Sequence, residues 1–379
     1  MSELIDSNAS RTDYRRCLLA NVSVLALCGS VYVSGAARAE DASRPTIWLE
    51  LGGQLETISG GSDPFAPPFI TKHLDAPYNF VSPLKATHDA KHGFGGEGKL
   101  TLQPQNSDWT FSASVRYGRS NRNSHLHQQT STEFRQKTSK YKATNPIFRH
   151  LNIVRFDDAT VEQNENHMVV DFAAGRDVGL GLFHGESSFS FGVRFAQFQN
   201  RSDTSFKSFP DPHYSTKFKP NDPLAHHHSY FATSELKRDF SGIGPSIAWH
   251  NFTPLIGHGD AGEVTFDWSA NVAALFGRQK TQGHYQTSAR YFHGSPIAIP
   301  GAPTSHYVHP ALVSRSRSVI VPNVGGFAGI SARYPNAKVS LGYRADFFFG
   351  AMDGGVDARK STTRGFYGPY ATISIGLGG

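Results

Sequence analysis

The 379-residue chain has only two cysteines, Cys17 and Cys28, and both lie near its start. The remainder has no thiol, which excludes thiol catalysis, cysteine-metal sites and a disulfide framework. Long apolar runs are scarce too. Beyond residue 33 no stretch of about eighteen apolar residues occurs, so helical membrane spans are excluded. There is no Pro- or Ser-rich linker and no shift in composition, so one domain is expected although the length would allow two. No nucleophile elbow, metal-binding helix or phosphate-cradling glycine loop is present. The chain is therefore expected to be no enzyme and to need no cofactor.

The N-terminus carries a pattern of its own. Arg11, Arg15 and Arg16 precede an apolar stretch from Cys17 to Val33, and Ala37-Arg38-Ala39 follows. A basic start, a short apolar run and an A-x-A site form a cleavable secretory signal, with cleavage expected after Ala39. Residues 1–39 are then a leader and 40–379 the mature domain. An N-terminal anchor is the weaker alternative, because Asn21, Ser23, Ser30 and Ser34 interrupt a run already marginal in length. Arg15-Arg16 faintly suggests a twin-arginine leader, a route for folded cargo. Neither cysteine has the small preceding residue of a lipoprotein site.

Glycine and phenylalanine are abundant, at 37 and 28 residues, while mean hydropathy is negative. Those features fit either a soluble all-β protein or a membrane barrel, and periodicity decides. From Trp109 to Tyr117, Trp109, Phe111, Ala113, Val115 and Tyr117 share one face, and Thr110, Ser112, Ser114 and Arg116 the other. The stretches 189–195, 266–276 and 339–347 repeat this period of two. Each has a partner across a short turn: 94–103 through Pro104–Asp108, 168–182 through His184–Ser187, 240–249 through Pro254–Gly262, and 324–334 through Pro335–Lys338. The first strand (47–57) and the last (367–377) have no such partner and should close the ring together.

Long connections are expected at about 58–91, 119–165, 199–235, 278–317 and 350–364. Alternating short and long connections are the layout of outer-membrane barrels, with short periplasmic turns and long external loops. The expectation is an all-β, antiparallel, up-and-down transmembrane barrel of ten strands, or twelve if a long loop hides another hairpin. Trp109, Trp249 and Trp268 fall at periplasmic strand ends, and Tyr117, Phe195, Phe276 and Phe347 at the opposite ends, as interfacial girdles require. Trp48 has inward parity at a periplasmic end and departs from the pattern. A soluble sandwich or lipocalin-like barrel would show the same alternation, but not the regular connections and ring-end aromatics.

Several motifs are similar to one family. They are Asp239-Phe-Ser-Gly-Ile-Gly-Pro-Ser-Ile247, Gly326-Phe-Ala-Gly-Ile330, Gly342-Tyr-Arg-Ala-Asp346, Gly365-Phe-Tyr-Gly-Pro-Tyr370, Val170-Asp-Phe-Ala-Ala-Gly175 and Phe191-Gly-Val-Arg-Phe-Ala196. From about Asn166 onward the chain resembles the Legionella-type major outer-membrane protein family. The resemblance implies location in the bacterial outer membrane and pore formation, and it implies no catalytic residues. One departure is the C-terminus, Ile375-Gly-Leu-Gly-Gly379, which lacks the terminal aromatic that the barrel-assembly machinery recognises.

Parity directs Glu97, Lys99, Arg116, Asp171, Arg194, Asp267, Arg344 and Asp346 inward, and these are the expected pore-lining residues. Glu50, Glu56, Asp177 and Arg333 share that direction. Charges paired across the lumen would plug it, whereas charges segregated around water would make a narrow channel. A ring of ten or twelve strands would pass ions or small hydrophilic solutes at most. A non-conducting barrel acting as adhesin or anchor through its loops is the alternative, and an outer-membrane hydrolase a more distant one. Arg176 has outward parity, which calls for a β-bulge at Gly175 or a place near the interface. Histidines at 125, 127, 213, 226–228, 284, 293, 306 and 309 fall in expected loops, where solvation explains them better than metal capture. Basic loop segments at Arg135–Lys142 and Lys207–Lys219 are expected to attract lipopolysaccharide phosphates and membrane lipid. Nucleic acid is excluded by location.

Overall fold

A computed structural model describes residues 47–60, 91–104, 107–137, 148–177, 186–209, 226–258, 262–293, 304–355 and 358–377. The expected leader lies outside these residues. The described chain is a closed antiparallel barrel of ten strands: β1 (Ile47–Ser59), β2 (Lys91–Leu102), β3 (Trp109–Lys137), β4 (Phe148–Asp177), β5 (Glu186–Phe209), β6 (His226–His258), β7 (Gly262–His293), β8 (Thr304–Tyr334), β9 (Ala337–Asp353) and β10 (Ser361–Leu377). Each strand pairs with its neighbour in sequence, and β1 closes the ring on β10 from Ile47↔Leu377 to Ser59↔Gly365. The expected order, closure and strand number are all found.

Strict alternation fixes the register, because a slip by one residue would turn every polar side chain outward. The outward positions form an apolar belt around the whole ring. Leu51 on β1, Phe94 on β2, Val115 on β3, Phe172 on β4, Phe191 on β5, Ile247 on β6, Val272 on β7, Ile330 on β8, Leu341 on β9 and Ile373 on β10 are all exposed. An apolar surface this continuous cannot face water and calls for a hydrocarbon surrounding. At its lower rim Trp249 and Trp268 meet edge to face at 5.0 Å, and Trp109 packs on Phe191 at 6.2 Å. Arg176 needs no bulge: the β3–β4 register runs unbroken through Thr110↔Gly175 and Trp109↔Arg176. It sits at the lower rim and pairs with Asp108 at 3.2 Å.

The expected long loops require correction. Residues 119–137 and 148–165 are strand, as are 199–209, 226–235, 278–293 and 304–317. β3 alone has 29 residues and β6 has 33. A tilted strand crosses a membrane in about 9–11 residues. Roughly twenty residues of β3 therefore continue past the belt, about 65 Å of strand. On β3 above the belt the outward face meets water and becomes polar like the inward one, so the two faces no longer differ enough to reveal a period of two. The histidines at 125, 127, 226–228, 284, 293, 306 and 309 thus stand on strands, while His213 lies outside the described residues.

β9 and β10 stop far short of this raised wall. The β8–β9 ladder ends at Asn323↔Phe348, and two residues later Gly350 takes a left-handed backbone, φ 68°. Glycine adopts that conformation without steric cost, which lets β9 leave the wall here. The end of β9 and the two residues after it, from Ala351 to Gly355, are all buried. On β10 the register shifts between Thr362 and Arg364, which completes the bend. The β9–β10 tip consequently turns toward the axis of the barrel.

Candidate functional site

The lumen holds its side chains in tiers. The lowest centres on Asp267, which pairs with Lys338 at 2.5 Å and accepts from Thr265 at 2.6 Å and Ser331 at 2.7 Å. The Ser331 oxygen in turn accepts from the Ser340 hydroxyl at 2.9 Å, and Ser374 donates to Glu50 at 3.1 Å. A buried carboxylate is tolerated when its lone pairs are filled in this way.

The middle tier spans the ring. Arg116 of β3 pairs with Asp346 of β9 at 2.5 Å, and Arg344 reaches the same Asp346 at 3.3 Å. Arg344 also pairs with Glu97 of β2, which accepts from the Tyr370 hydroxyl at 2.7 Å. Arg194 of β5 grips Asp171 through Nε at 2.6 Å and Nη2 at 3.1 Å. Its Nη1 donates to Asn271 at 2.6 Å and to Asn323 of β8. Gly325 makes room here, because a β-carbon at that position would overlap the Asp346 carboxylate.

Above the charges lies an apolar tier inside the barrel. Phe198, Phe240, Phe348 and Phe366 meet near the axis with Leu275, Val321 and Met352, all buried. Phe198 and Phe348 stand edge to face at 4.7 Å, and Phe198 packs on Phe240 at 5.5 Å. His167 stacks on Phe366 at 3.9 Å and faces Glu56 at 3.3 Å. Higher still, Arg364 pairs with Glu165 at 3.2 Å, and Asn200 donates to the same carboxylate.

The β9–β10 tip covers this stack. Gln279 of β7 donates to the Gly350 carbonyl at 2.5 Å, and Arg238 of β6 to the Gly354 carbonyl at 3.3 Å. Arg315 of β8 binds Asp353 at 2.9 Å and the Gly355 carbonyl at 2.8 Å. β6 and β7 are not sheet neighbours of β9, so these bonds run through the interior of the wall.

Each expected pore-lining residue occupies an inward strand position. Glu97, Arg116, Arg344 and Asp346 come together in one network, with Asp171 and Arg194 beside it. Asp267 belongs to the lower tier, and Lys99 stands in register with Glu50. Between plugging and segregation the structure takes the first: the charges pair across the lumen and fill it. Sequence reasoning missed the aromatic tier and the tip. Parity held a signal for the first, since Phe198, Phe240, Phe348 and Phe366 are out of phase with the lipid-facing positions on their own strands. Among the described residues no group of three metal-ligating side chains could hold an ion.

No family model and no curated protein matches the sequence. Several solved structures were found similar to it, among them the following three. A deletion mutant of the monoaromatic hydrocarbon channel TodX has 8% identity over 88% of this chain and 91% of that one, with a TM-score of 0.24. The transport unit of the autotransporter AIDA-I from Escherichia coli has 8% identity over 95% and 97%, TM-score 0.25. The P. putida toluene transporter TodX has 8% identity over 88% and 91%, TM-score 0.18. Likeness at that level carries no argument, and the barrel rests on this chain's own ladders.

Proposed function

We propose that the protein is a narrow pore of the bacterial outer membrane for ions or small hydrophilic solutes, closed in this conformation. The nature of the closure carries the reading. What fills the lumen is side chains and the β9–β10 tip, and the tip is held inside by side-chain hydrogen bonds instead of a sheet ladder. Such a cover can move while the ring stays intact.

The charge network favours the same reading. Arg344 has two acceptors, Glu97 and Asp346, and Asp346 has two donors, so partners can exchange without stranding a charge. Well-packed apolar residues of similar volume are often as stabilising as a buried ion pair or more so. Retained charge at mid-barrel is therefore better explained by a route for water and ions than by stability. The resemblance to the Legionella-type family supports pore formation, and the apolar belt and signal-like N-terminus support the outer membrane.

A second reading is a permanently shut barrel that anchors its projecting wall, favoured by the filled lumen and the long strand extensions. Planar-bilayer recording of the refolded mature protein separates the two. The pore reading expects brief, stepwise currents that become frequent in a Phe198→Ala/Phe348→Ala variant. Silence from both proteins, with folding verified, overturns the pore and leaves the anchor.

A further inference from the structure

The outer rim of the barrel is notched where β9 departs. Above Asn323↔Phe348, β8 continues beside β7 alone, and the space left by β9 opens a cleft of about 860 Å³. Its lower border is apolar. Phe276, Ile320 and Phe349 are exposed on the outward face and form the top of the lipid-facing belt at this point. Three exposed arginines also line the cleft: Arg278 on the outward face of β7, Arg317 on the opposite, inward face of β8 in register with Gln279, and Arg359 in the β9–β10 turn. No carboxylate lines the cleft. Arg278 Nε donates to the Ser316 hydroxyl at 2.6 Å, which fixes its guanidinium beside the opening.

Three like charges gathered around one opening repel each other unless an anion sits among them. A free anion would satisfy the arginines but would leave the exposed aromatic border without a partner. A lipid satisfies both, with acyl chains against Phe276, Ile320 and Phe349 and phosphate oxygens accepting from the guanidinium forks one tier higher. The register supports that depth for Arg278, because Phe276↔Ile320 and Arg278↔Ser318 are successive outward pairs on β7 and β8, while Arg317 and Arg359 reach the opening from the notch itself. We propose that this cleft binds the phosphorylated head group of an outer-leaflet lipid of the lipid A class.

The test uses the full mature chain refolded into vesicles containing lipid A, then released in mild detergent for native mass spectrometry. The wild type is expected to retain a bound lipid A. Replacing Arg278, Arg317 and Arg359 together with Gln should lower retention about tenfold, the scale of losing charge-assisted contacts to phosphate. A Lys207→Gln/Lys237→Gln variant, altered on the wall away from the cleft, should retain lipid like the wild type. Equal retention by the triple variant overturns the proposal. Displacement of the lipid by millimolar inorganic phosphate overturns it as well, because it would reveal a site for a soluble anion. Should the triple variant fail to fold, Arg359→Gln alone serves, since Arg359 lies in the β9–β10 turn outside every ladder. Loss of about threefold is expected from that single change, and no loss overturns the site.

Discussion

Arg116 and Asp346 hold each other at 2.5 Å across the lumen, although four ladders separate β3 from β9 around the ring. Removing one partner leaves the other charged in a place with little water. Arg116→Ala should cost about 3–5 kcal/mol, the range for breaking a buried pair. Arg344 reaches the same carboxylate, which argues for the lower end. Urea unfolding in vesicles measures this, and an Arg116→Met/Asp346→Leu double variant should recover most of the loss. A loss in the double variant equal to the sum of the two single losses would mean that the pair has no special coupling.

The aromatic tier should act as a barrier as well as a core. Phe198→Ala/Phe348→Ala removes two rings from the axis and should destabilise the barrel by several kcal/mol, about 3–5 for each large-to-small change at the extreme. The same variant should conduct more often than the wild type in planar bilayers. Stepwise currents no more frequent than those of a conducting wild type would place the barrier at the charged tier, whereas silence from both proteins overturns the pore.

Tethers on the β9–β10 tip can be cut singly. Arg238→Gln weakens the bond to the Gly354 carbonyl, and Arg315→Gln weakens those to Asp353 and Gly355. Amide hydrogen exchange at Gly354 should then quicken severalfold while the β8–β9 ladder stays protected. Loss of protection along β8 as well would mean that the tip and the wall open as one unit.

Asp158 offers a pH probe on the raised wall. Its carboxyl is held below the ordinary value of 3.8, chiefly by the hydrogen bond with His125 at 2.5 Å. A lowered carboxyl stabilises the folded form above the unfolded pKa, and that help is lost as pH falls through the folded pKa. Protection of the upper β3–β4 ladder should therefore be steady near neutrality and decline below about pH 4. In His125→Ala the Asp158 titration, followed by NMR, should move up toward the ordinary value. No movement would assign the depression to something other than the histidine.

Much of the fold was legible because a membrane enforces a difference between faces. From Trp109 to Tyr117 one side meets lipid and the other the lumen, so alternation is plain and the register follows. The inward charges were legible for the same reason. Beyond Arg119 the outward side meets water, both faces are polar, and β3 reads as loop. Phe348 was harder to single out for a different reason, although its parity with Arg344 and Asp346 points inward. Phe347, Phe348 and Phe349 are consecutive, and which of three neighbouring aromatics turns inward is set by the ladder with β8. The tip was beyond reach, since its tethers join Gln279, Arg238 and Arg315 to backbone atoms distant in sequence.

The seam between β1 and β10 constrains the order of events in assembly. Every other ladder joins strands adjacent in sequence and can form while the chain is still arriving. The last one needs Ile47–Ser59 to meet Ser361–Leu377, across a separation of about three hundred residues and at the entropy of closing so long a loop. Until then two strand edges stay open to any other strand nearby. That seam is thus the ladder that has to wait for the whole chain, and loss of β10 would leave an open sheet with no means of sealing itself.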